Sequence, residues 1–319
     1  MSESAGTPAA PGYTCPFCRL VSDAGGTACP NCGAPVSTRE LRDEEGWVEQ
    51  PPIRDMARIQ VGQSRCQITG TYVPVAEMNL APGDQVYFSH HVLLWADPAT
   101  QLAALPMKNA WNRAMAGMPL VLMEATGPGH IAFSDDDPGE LIAVPLEKGL
   151  SIDVSMHHFL VATMALHYEW FRSRIFWEIR DRGTSNWDVT YPGGPYVDRF
   201  TAQQQRGLLL LHSRGNTFIK DLGDGDQIYV VPRALVYKDT SVRMNIHMER
   251  PASPRAHWLY IPMIRLTGPG RVAIQSQYGF EAEGTWGWDK LGPDASWRNW
   301  NPDTSRWRAK VKDREPLYP

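Results

Sequence analysis

The sequence predicts an all-β protein whose core is internally repeated, preceded by a small zinc ribbon. The repeat is clearest in the stretch Leu80-Ala-Pro-Gly-Asp-Gln-Val-Tyr87, which returns 142 positions later as Leu222-Gly-Asp-Gly-Asp-Gln-Ile-Tyr229. Thr126-Gly-Pro-Gly129 is matched in the same way by Thr267-Gly-Pro-Gly270, at an offset of 141. Both pairs place turn residues beside runs of β-branched and aromatic residues, the pattern of a sandwich or barrel. Two closely spaced cysteine pairs indicate the ribbon.

Composition sets the outer bounds of these expectations. A chain of 319 residues with 43% hydrophobic residues is long enough to bury a sizeable core. Its formal net charge of −4 gives no overall attraction to nucleic acid or to anionic lipid. The sequence has no apolar run of the ~18 residues that span a bilayer, and residues 1–12 lack the apolar core of a signal peptide. We therefore expect a soluble, cytoplasmic protein.

Residues 13–36 form the predicted zinc ribbon. They contain four of the five cysteines, in two Cys-x-x-Cys pairs separated by ten residues. Zn²⁺ prefers four thiolates in a tetrahedron, and each pair lets one tight turn direct two sulfurs at the same ion. We predict one structural Zn²⁺ bound by Cys15, Cys18, Cys29 and Cys32, which would supply most of the folding free energy of so short a segment. Two disulfides and a redox dithiol are the alternatives, of which disulfides suit an exported chain.

A polar, acid-rich linker is expected over residues 37–58, followed by the repeated β core over residues 59–280. Within the core, Pro138-Gly139-Glu140 is taken as a third copy of the turn, so that three units would wind into a double-stranded β-helix or a prism-like body. The turn residues are predicted to be structural, with a calcium or catalytic role as the alternative. They are Gly83, Asp84, Gly127, Gly129, Gly139, Glu140, Gly225, Asp226, Gly268 and Gly270. The fifth cysteine, Cys66, is expected to be a small buried apolar residue.

Two aromatic regions are the candidate partner-binding surfaces. An insertion at about residues 167–207 could form a helix or two short strands, and it presents Trp170, Arg174 and Trp177. A basic tail over residues 281–319 could stack on nucleobases, lie at a membrane interface or contact a neighbouring subunit. Its tryptophans are Trp286, Trp288, Trp297, Trp300 and Trp307. For each region the alternative is that it packs on the protein's own β core.

Catalytic patterns are missing from the sequence. The adjacent pairs His90-His91 and His157-His158 would point to opposite faces of a strand, so neither pair could chelate one ion. A cupin metal motif, a Gly-x-Ser-x-Gly elbow and a phosphate-binding loop are likewise not found. We therefore predict that the protein is not an enzyme.

Several motifs, taken in order, resemble one known family. They are the Leu-x-Pro-Gly-Asp turn, the Thr-Gly-Pro-Gly motif, Pro138-Gly-Glu140, the stretch 158–162 and the closing stretch 266–276. On these the core resembles the altered-inheritance-of-mitochondria twenty-four (mitochondrial biogenesis, AIM-type) family and its bacterial members, here with an N-terminal zinc ribbon. The resemblance implies a β body similar to the tryptophan RNA-binding attenuation protein fold, often assembled as a homotrimer, without an established enzyme activity.

The sequence thus favours a non-catalytic, self-assembling scaffold or adaptor that binds a protein partner or a membrane-associated complex. One alternative is a nucleic-acid-binding module that uses the ribbon and the basic aromatic tail. A second alternative is a metal-dependent, cupin-like enzyme, which would carry a second metal per chain.

Overall fold

The computed structural model describes most of the predicted core and little of the flanking segments. The described residues are 13–15, 21–22, 29–30, 45–49, 58–105, 122–173, 175, 177–180, 187–191, 193–249, 261–278 and 307–308. The chain divides into two compact units. Unit 1 comprises Met1–Lys148, Phe159–Leu166 and Gln204–Ser213, and unit 2 comprises Gly149–His158, His167–Gln203 and Arg214–Pro319.

The all-β prediction is confirmed. Helical structure in the described part of the chain is limited to two 3-10 turns, His90–Val92 and Pro232–Ala234. The strands are β1 (Tyr13–Thr14), β2 (Val21–Ser22), β3 (Val48–Glu49), β4 (Arg58–Val61), β5 (Ser64–Thr69), β6 (Val75–Leu80), β7 (Gln85–Ser89), β8 (Leu93–Ala96), β9 (Gln101–Ala104), β10 (Leu122–Thr126), β11 (Gly129–Phe133), β12 (Gly139–Leu146), β13 (Ser151–Ser155), β14 (Phe159–Thr163), β15 (Leu166–Arg172), β16 (Trp177–Arg180), β17 (Trp187–Thr190), β18 (Tyr196–Ala202), β19 (Gly207–Arg214), β20 (Thr217–Leu222), β21 (Gln227–Val230), β22 (Leu235–Asp239), β23 (Arg243–Glu249), β24 (Ile261–Thr267), β25 (Gly270–Gln275) and β26 (Trp307–Arg308).

The core consists of three copies of a six-strand pattern. Repeat I is β6 to β11, repeat II is β12 to β15 with β18 and β19, and repeat III is β20 to β25. In each repeat, strands 1, 6 and 3 form one sheet and strands 2, 5 and 4 form another. The first sheets are β6-β11-β8, β12-β19-β14 and β20-β25-β22, and the second sheets are β7-β10-β9, β13-β18-β15 and β21-β24-β23.

Unit 1 holds repeat I and the first sheet of repeat II. One sheet has the order β4-β5-β6-β11-β8, and the other has the order β12-β19-β14-β7-β10-β9. Its core is formed by the alternating apolar residues of these strands, with the rings of Phe88 and Phe133 4.8 Å apart at its centre. The side chains of a strand alternate between the two faces of its sheet, so strands such as β6 and β7 contribute every second residue to the core.

Unit 2 holds the second sheet of repeat II and repeat III. Six of its strands follow the order β15-β18-β13-β22-β25-β20, and β21-β24-β23 forms a separate sheet. A third sheet, β17-β16-β26, lies outside the six-strand pattern.

Neighbouring repeats are joined by the same strand pairing. Strand 2 of repeat I pairs antiparallel with strand 3 of repeat II, with Phe88 opposite Val161 and Tyr87 opposite Ala162. Strand 2 of repeat II pairs in the same way with strand 3 of repeat III, through β13 and β22. The second sheet of one repeat and the first sheet of the next repeat are therefore hydrogen-bonded into one larger sheet.

The third turn lies at Gly149, which corrects the prediction at Gly139. Gly83, Gly149 and Gly225 each precede strand 2 of a repeat, with φ of 84°, 87° and 80°. This left-handed region favours glycine because it has no Cβ. Gly139 instead begins β12, and a Cβ there would lie 2.0 Å from the carbonyl oxygen of Ser213. Its glycine is required by close packing, and Glu140 beside it is a buried strand residue.

The predicted insertion is narrower than residues 167–207. Strands β15 and β18 belong to the second sheet of repeat II, so both ends of the expected insertion are core. Only the connection between them, which carries β16 and β17, departs from the pattern. These two strands pair antiparallel, so of the two conformations considered for this region the structure has strands.

Candidate functional site

Strand β8 exposes apolar side chains whose counterparts in the other repeats are buried. The pairings of strand 3 with strand 6 place Trp95, Val161 and Tyr237 at equivalent positions, and the preceding residues correspond as well. Trp95 is 40% exposed, whereas Val161 and Tyr237 are each 2% exposed. The preceding residues show the same contrast: Leu94 is 55% exposed, and its counterparts Leu160 and Val236 are fully buried. An apolar strand 3 is thus left uncovered in repeat I alone.

Strand β21 shows the same contrast at the other end of the pattern. Tyr87 and Tyr229 occupy the same position in strand 2, yet Tyr87 is 2% exposed and Tyr229 is 47% exposed. Tyr87 donates a hydrogen bond to the carbonyl oxygen of Leu166 (3.0 Å) and packs against Phe159 of repeat II. Tyr229 has no following repeat in the described chain to pack on, and its ring stacks on His247 with centroids 4.1 Å apart.

The outer sides of β8 and β21 are open edges. Among the described strands, β8 pairs with β11 alone and β21 with β24 alone. Neither strand contains a charged residue, although charges are the usual protection of a sheet edge. An uncharged edge with exposed aromatic residues is suited to adding a further strand.

The junction between repeats II and III contains a buried ionic cluster. Asp153 lies on β13, directly opposite Arg199 on β18 and Lys238 on β22. Its carboxylate accepts hydrogen bonds from Nε of Arg199 at 2.7 Å and from Nζ of Lys238 at 2.8 Å. Burial opposes ionisation of this carboxyl, but the hydrogen bond from Arg199 and the charge of Lys238 outweigh it, so that the pKa of Asp153 is lowered.

This cluster is buried between strands and borders only a small cavity. The neighbouring cavity, of about 30 Å³, has room for little more than a water molecule and is otherwise lined mainly by apolar and hydroxyl side chains. Two cations, Arg199 and Lys238, flank the single carboxylate of Asp153 and hold it ionised. The cluster therefore joins two repeats through charge, where the first junction uses Tyr87 and Ala162.

The turn carboxylates Asp84 and Asp226 bind different partners. Asp226 accepts a hydrogen bond from the amide of Gly223 in its own turn (2.8 Å). Asp84 accepts one from the hydroxyl of Ser64 on the neighbouring strand β5. In both turns the carbonyl oxygen of the aspartate also accepts the amide of a Thr-Gly-Pro-Gly motif, from Gly127 or Gly268, at 3.0 Å. Each aspartate thus connects its turn to the Thr-Gly-Pro-Gly motif of the same repeat.

The Thr-Gly-Pro-Gly glycines are required by close approach. A Cβ on Gly127 would lie 2.3 Å from the carbonyl oxygen of Ala81, and one on Gly268 would lie 2.2 Å from that of Gly223. Gly129 and Gly270 each meet a side chain of the loop before strand 4, from Thr100 and Ser241 respectively. No real Cβ tolerates such distances.

An open cleft of about 400 Å³ lies beside Asp84 in unit 1. Its polar side chains include Gln60, Thr163 and Arg206, and Arg206 pairs with Glu147 at 3.1 Å. Its lining contains neither histidine nor cysteine.

Of the predicted zinc ligands, the structure describes Cys15 and Cys29, one from each Cys-x-x-Cys pair. Both are buried, and β1 and β2, which lie before and after the first pair, are paired antiparallel. Cys18 and Cys32 lie outside the described residues. In the described ranges no three His, Cys, Asp or Glu side chains are grouped to hold a metal, so the zinc site stays a prediction. Cys66 is fully buried, as expected, and burial together with the charge of Glu77 raises the pKa of its thiol to about 12.

Three of the aromatic candidates lie in described strands, and the other candidates lie outside the described residues. Trp170 makes an edge-to-face contact with Tyr196 in unit 2 (5.4 Å). Trp177 lies in β16, and Trp307 lies in β26, which pairs with β16. Whether the tail packs on the β core therefore stays a prediction. The remaining candidates lie outside the described residues: Arg174, Trp286, Trp288, Trp297 and Trp300.

Sequence analysis missed the open edges and the ionic cluster. The usable signal was the run Leu93-Leu-Trp-Ala-Asp97, which corresponds to Leu235-Val-Tyr-Lys-Asp239 at the same offset of 142. That match extends the repeat through strand 3. The match does not show in which repeat strand 3 is paired on both sides, because that depends on the order of strands in the sheet.

The repeated core is similar to proteins of known sequence and of known structure. The family described as mitochondrial biogenesis AIM24 matches residues 66–277. A crystal structure of the protein SPYM3_0169 from Streptococcus pyogenes is similar in fold, with a TM-score of 0.51 and 19% identity over 67% of this chain and 94% of that one. Curated proteins gave no match. Within the described ranges no helix has the length and hydropathy needed to cross a membrane. The family match covers most of the chain, including all three repeats from β6 onwards, and the chain belongs to the AIM24 family.

Proposed function

We propose that the protein is a non-catalytic, self-assembling scaffold, with a zinc-binding ribbon that serves as an adaptor for a protein partner or a membrane-associated complex. The observation that carries this proposal is the pair of open apolar edges. Strand 3 of repeat I and strand 2 of repeat III expose side chains that every other junction buries.

Self-assembly follows from the cost of leaving such edges in water. Exposed apolar strands without charges are sites at which chains associate, and natural monomers blunt them with charges, prolines or bulges. Aromatic residues such as Trp95 and Tyr229 are also the residues most enriched at the centres of interfaces. A scaffold whose ends are self-complementary needs no catalytic site.

The ribbon is proposed to bind one structural Zn²⁺ through Cys15, Cys18, Cys29 and Cys32. Support comes from the donor set itself and from the burial of one cysteine of each pair. Metal analysis should give one zinc per chain, and Cys15→Ser with Cys32→Ser should remove it. A second metal that survives these substitutions would favour the metal-dependent enzyme instead.

Three finer expectations accompany the proposal. They are a homotrimer, a prism-like body similar to the tryptophan RNA-binding attenuation protein fold, and a cytoplasmic location in a bacterium. All three are implied by the family resemblance or by composition. The nucleic-acid alternative depends on the tail after residue 280, and salt-dependent retention of RNA or DNA by the full chain would support it.

The experiment for the central proposal is native mass spectrometry combined with sedimentation velocity over a range of protein concentrations. We expect an oligomer that dissociates on dilution. Leu94→Lys should shift it to smaller species, whereas Tyr72→Lys, at a highly exposed loop position of the same unit, should not. A wild-type chain that stays monomeric at every concentration would contradict self-assembly.

A further inference from the structure

We propose that copies of this chain assemble head to tail, with β21 of one copy paired antiparallel to β8 of the next. This inference rests on the proposed self-assembly and specifies its partner strands and their register. It makes the contact between copies equivalent to the junctions between repeats within one copy.

The two junctions in the chain obey one rule. At the first, strand 2 of repeat I pairs with strand 3 of repeat II, and Tyr87 faces Ala162. At the second, strand 2 of repeat II pairs with strand 3 of repeat III, and Asp153 faces Lys238. The internal correspondence of the repeats places Tyr87 with Asp153 and Ala162 with Lys238, so that both junctions have the same register.

Only two strands in the three repeats lack their junction partner. Strand 3 of repeat I, β8, has no preceding repeat, and strand 2 of repeat III, β21, has no following repeat among the described strands. These are also the two strands that expose Trp95 and Tyr229. β8 and β21 are thus the two strand types that pair at each internal junction, and each lacks its partner among the described strands.

Applying the common register gives the contacts between copies. Val230 would face Trp95 of the next copy, Tyr229 would face its Ala96, and Ile228 would face its Asp97. A small residue opposite a tyrosine repeats the Tyr87 and Ala162 pair of the first junction. No like charges meet, because neither β21 nor β8 carries one.

The pairing uses different surfaces on its two sides, so the assembly is cyclic if the rotation per copy closes and a filament if it does not. A second copy is the occupant that the structure favours, since a strand of this same chain already fills the equivalent place at both internal junctions. A twofold pairing of β8 with its own equivalent would leave β21 uncovered.

The test uses two single-cysteine variants, Ala96→Cys and Tyr229→Cys, mixed after dissociation and reassembly and then treated with a short bifunctional maleimide. We expect crosslinked dimers in the mixture and none in either variant alone. The matched control is Ile228→Cys, whose side chain lies one residue out of register and points to the other face, and it should crosslink poorly with Ala96→Cys. Wild-type chains treated in parallel report any reaction of the native cysteines.

An independent test builds the ionic cluster of the second junction into the proposed contact between copies. Arg265 faces Tyr229 as Arg199 faces Asp153, so Tyr229→Asp would have an arginine beside it in its own chain. Ala96→Lys alone would bury an unpaired ammonium and should raise the dissociation constant of the assembly about 100-fold. Ala96→Lys with Tyr229→Asp would recreate the Asp–Arg–Lys cluster and should restore assembly.

The possible results distinguish the head-to-tail pairing from self-assembly in general. A monomeric wild type contradicts both. An oligomer whose mixed variants do not crosslink, or whose Ala96→Cys variant crosslinks with itself, overturns the head-to-tail pairing and leaves self-assembly standing.

Discussion

Strands β8 and β22 hold the same place in repeats I and III but have different surroundings. Their sequences, Leu-Leu-Trp-Ala and Leu-Val-Tyr-Lys, are similarly apolar over the first three positions. Both pair with strand 6 of their own repeat. Only β22 also pairs with strand 2 of the preceding repeat, β13.

This difference shows that burial is decided here by the neighbouring repeat and not by the strand's own sequence. An apolar strand 3 is suited to a covered position in every copy. In repeat I no described strand pairs with the outer side of strand 3. Leu94 and Trp95, whose counterparts in repeats II and III are buried, are therefore exposed.

The largest effect is expected at the covered junction. Asp153→Asn should destabilise unit 2 by about 3–5 kcal/mol, because it leaves Lys238 buried without its counter-charge. Asp221→Asn is the control: its ion pair with Arg271 has an exposed carboxylate and should matter by only about 0–1 kcal/mol. Chemical denaturation of both variants measures the difference, and equal losses would show that the cluster does not stabilise the junction.

A matched pair of leucines tests the comparison itself. Leu160→Ala should cost about 2–5 kcal/mol of unfolding free energy, because this side chain is fully buried. Leu94→Ala, at the equivalent position, should change the stability of the dissociated chain by less than about 0.5 kcal/mol. Denaturation curves at low protein concentration distinguish the two. A large loss from Leu94→Ala in the dissociated chain would mean that β8 is covered within its own chain.

The turns allow a comparison between close packing and backbone conformation. Gly127→Ala places a Cβ against the carbonyl oxygen of Ala81 and should cost about 1–3 kcal/mol or more. Gly83→Ala meets no atom within 4 Å, so its cost is that of the left-handed conformation, roughly 1–2 kcal/mol. Thermal unfolding of the two variants should rank them in this order, and the reverse order would contradict the packing at Ala81.

The smallest effect concerns pH. The pKa of Asp153 is lowered in the folded state, so its contribution to stability is present above the unfolded value of about 3.9 and is lost as the pH falls through the lower, folded value. The stability difference between wild type and Asp153→Asn should therefore be constant near neutral pH and narrow below about pH 4. A difference that does not change between pH 6 and pH 2 would argue against an ionised Asp153.

The sequence predicted the fold class and two of the three repeats, because the turns at Gly83 and Gly225 are both followed by Asp-Gln. The middle turn was predicted at Gly139 because an acidic residue, Glu140, follows it, whereas the residue after Gly149 is Leu150. What all three turns share is a leucine three residues before the glycine: Leu80, Leu146 and Leu222. That weaker signal would have found repeat II.

The candidate sites were less accessible to sequence reasoning. Asp153 lies 46 residues from Arg199 and 85 residues from Lys238, and only the order and register of three strands bring them together. The edges of β8 and β21 are open because no described strand pairs with their outer sides, and a local sequence pattern does not contain that information. The cysteine spacing, by contrast, is a local pattern, and the zinc site was predicted from it alone.

Backbone hydrogen exchange of the wild-type chain, measured peptide by peptide at several protein concentrations, reports whether β8 and β21 are covered when copies associate. We expect β8 and β21 to be protected in the assembled protein and to lose protection together on dilution, while β14 and β22 remain protected. Rapid exchange of β8 in a sample that is fully assembled would contradict it, because the open edges would then remain uncovered when copies associate.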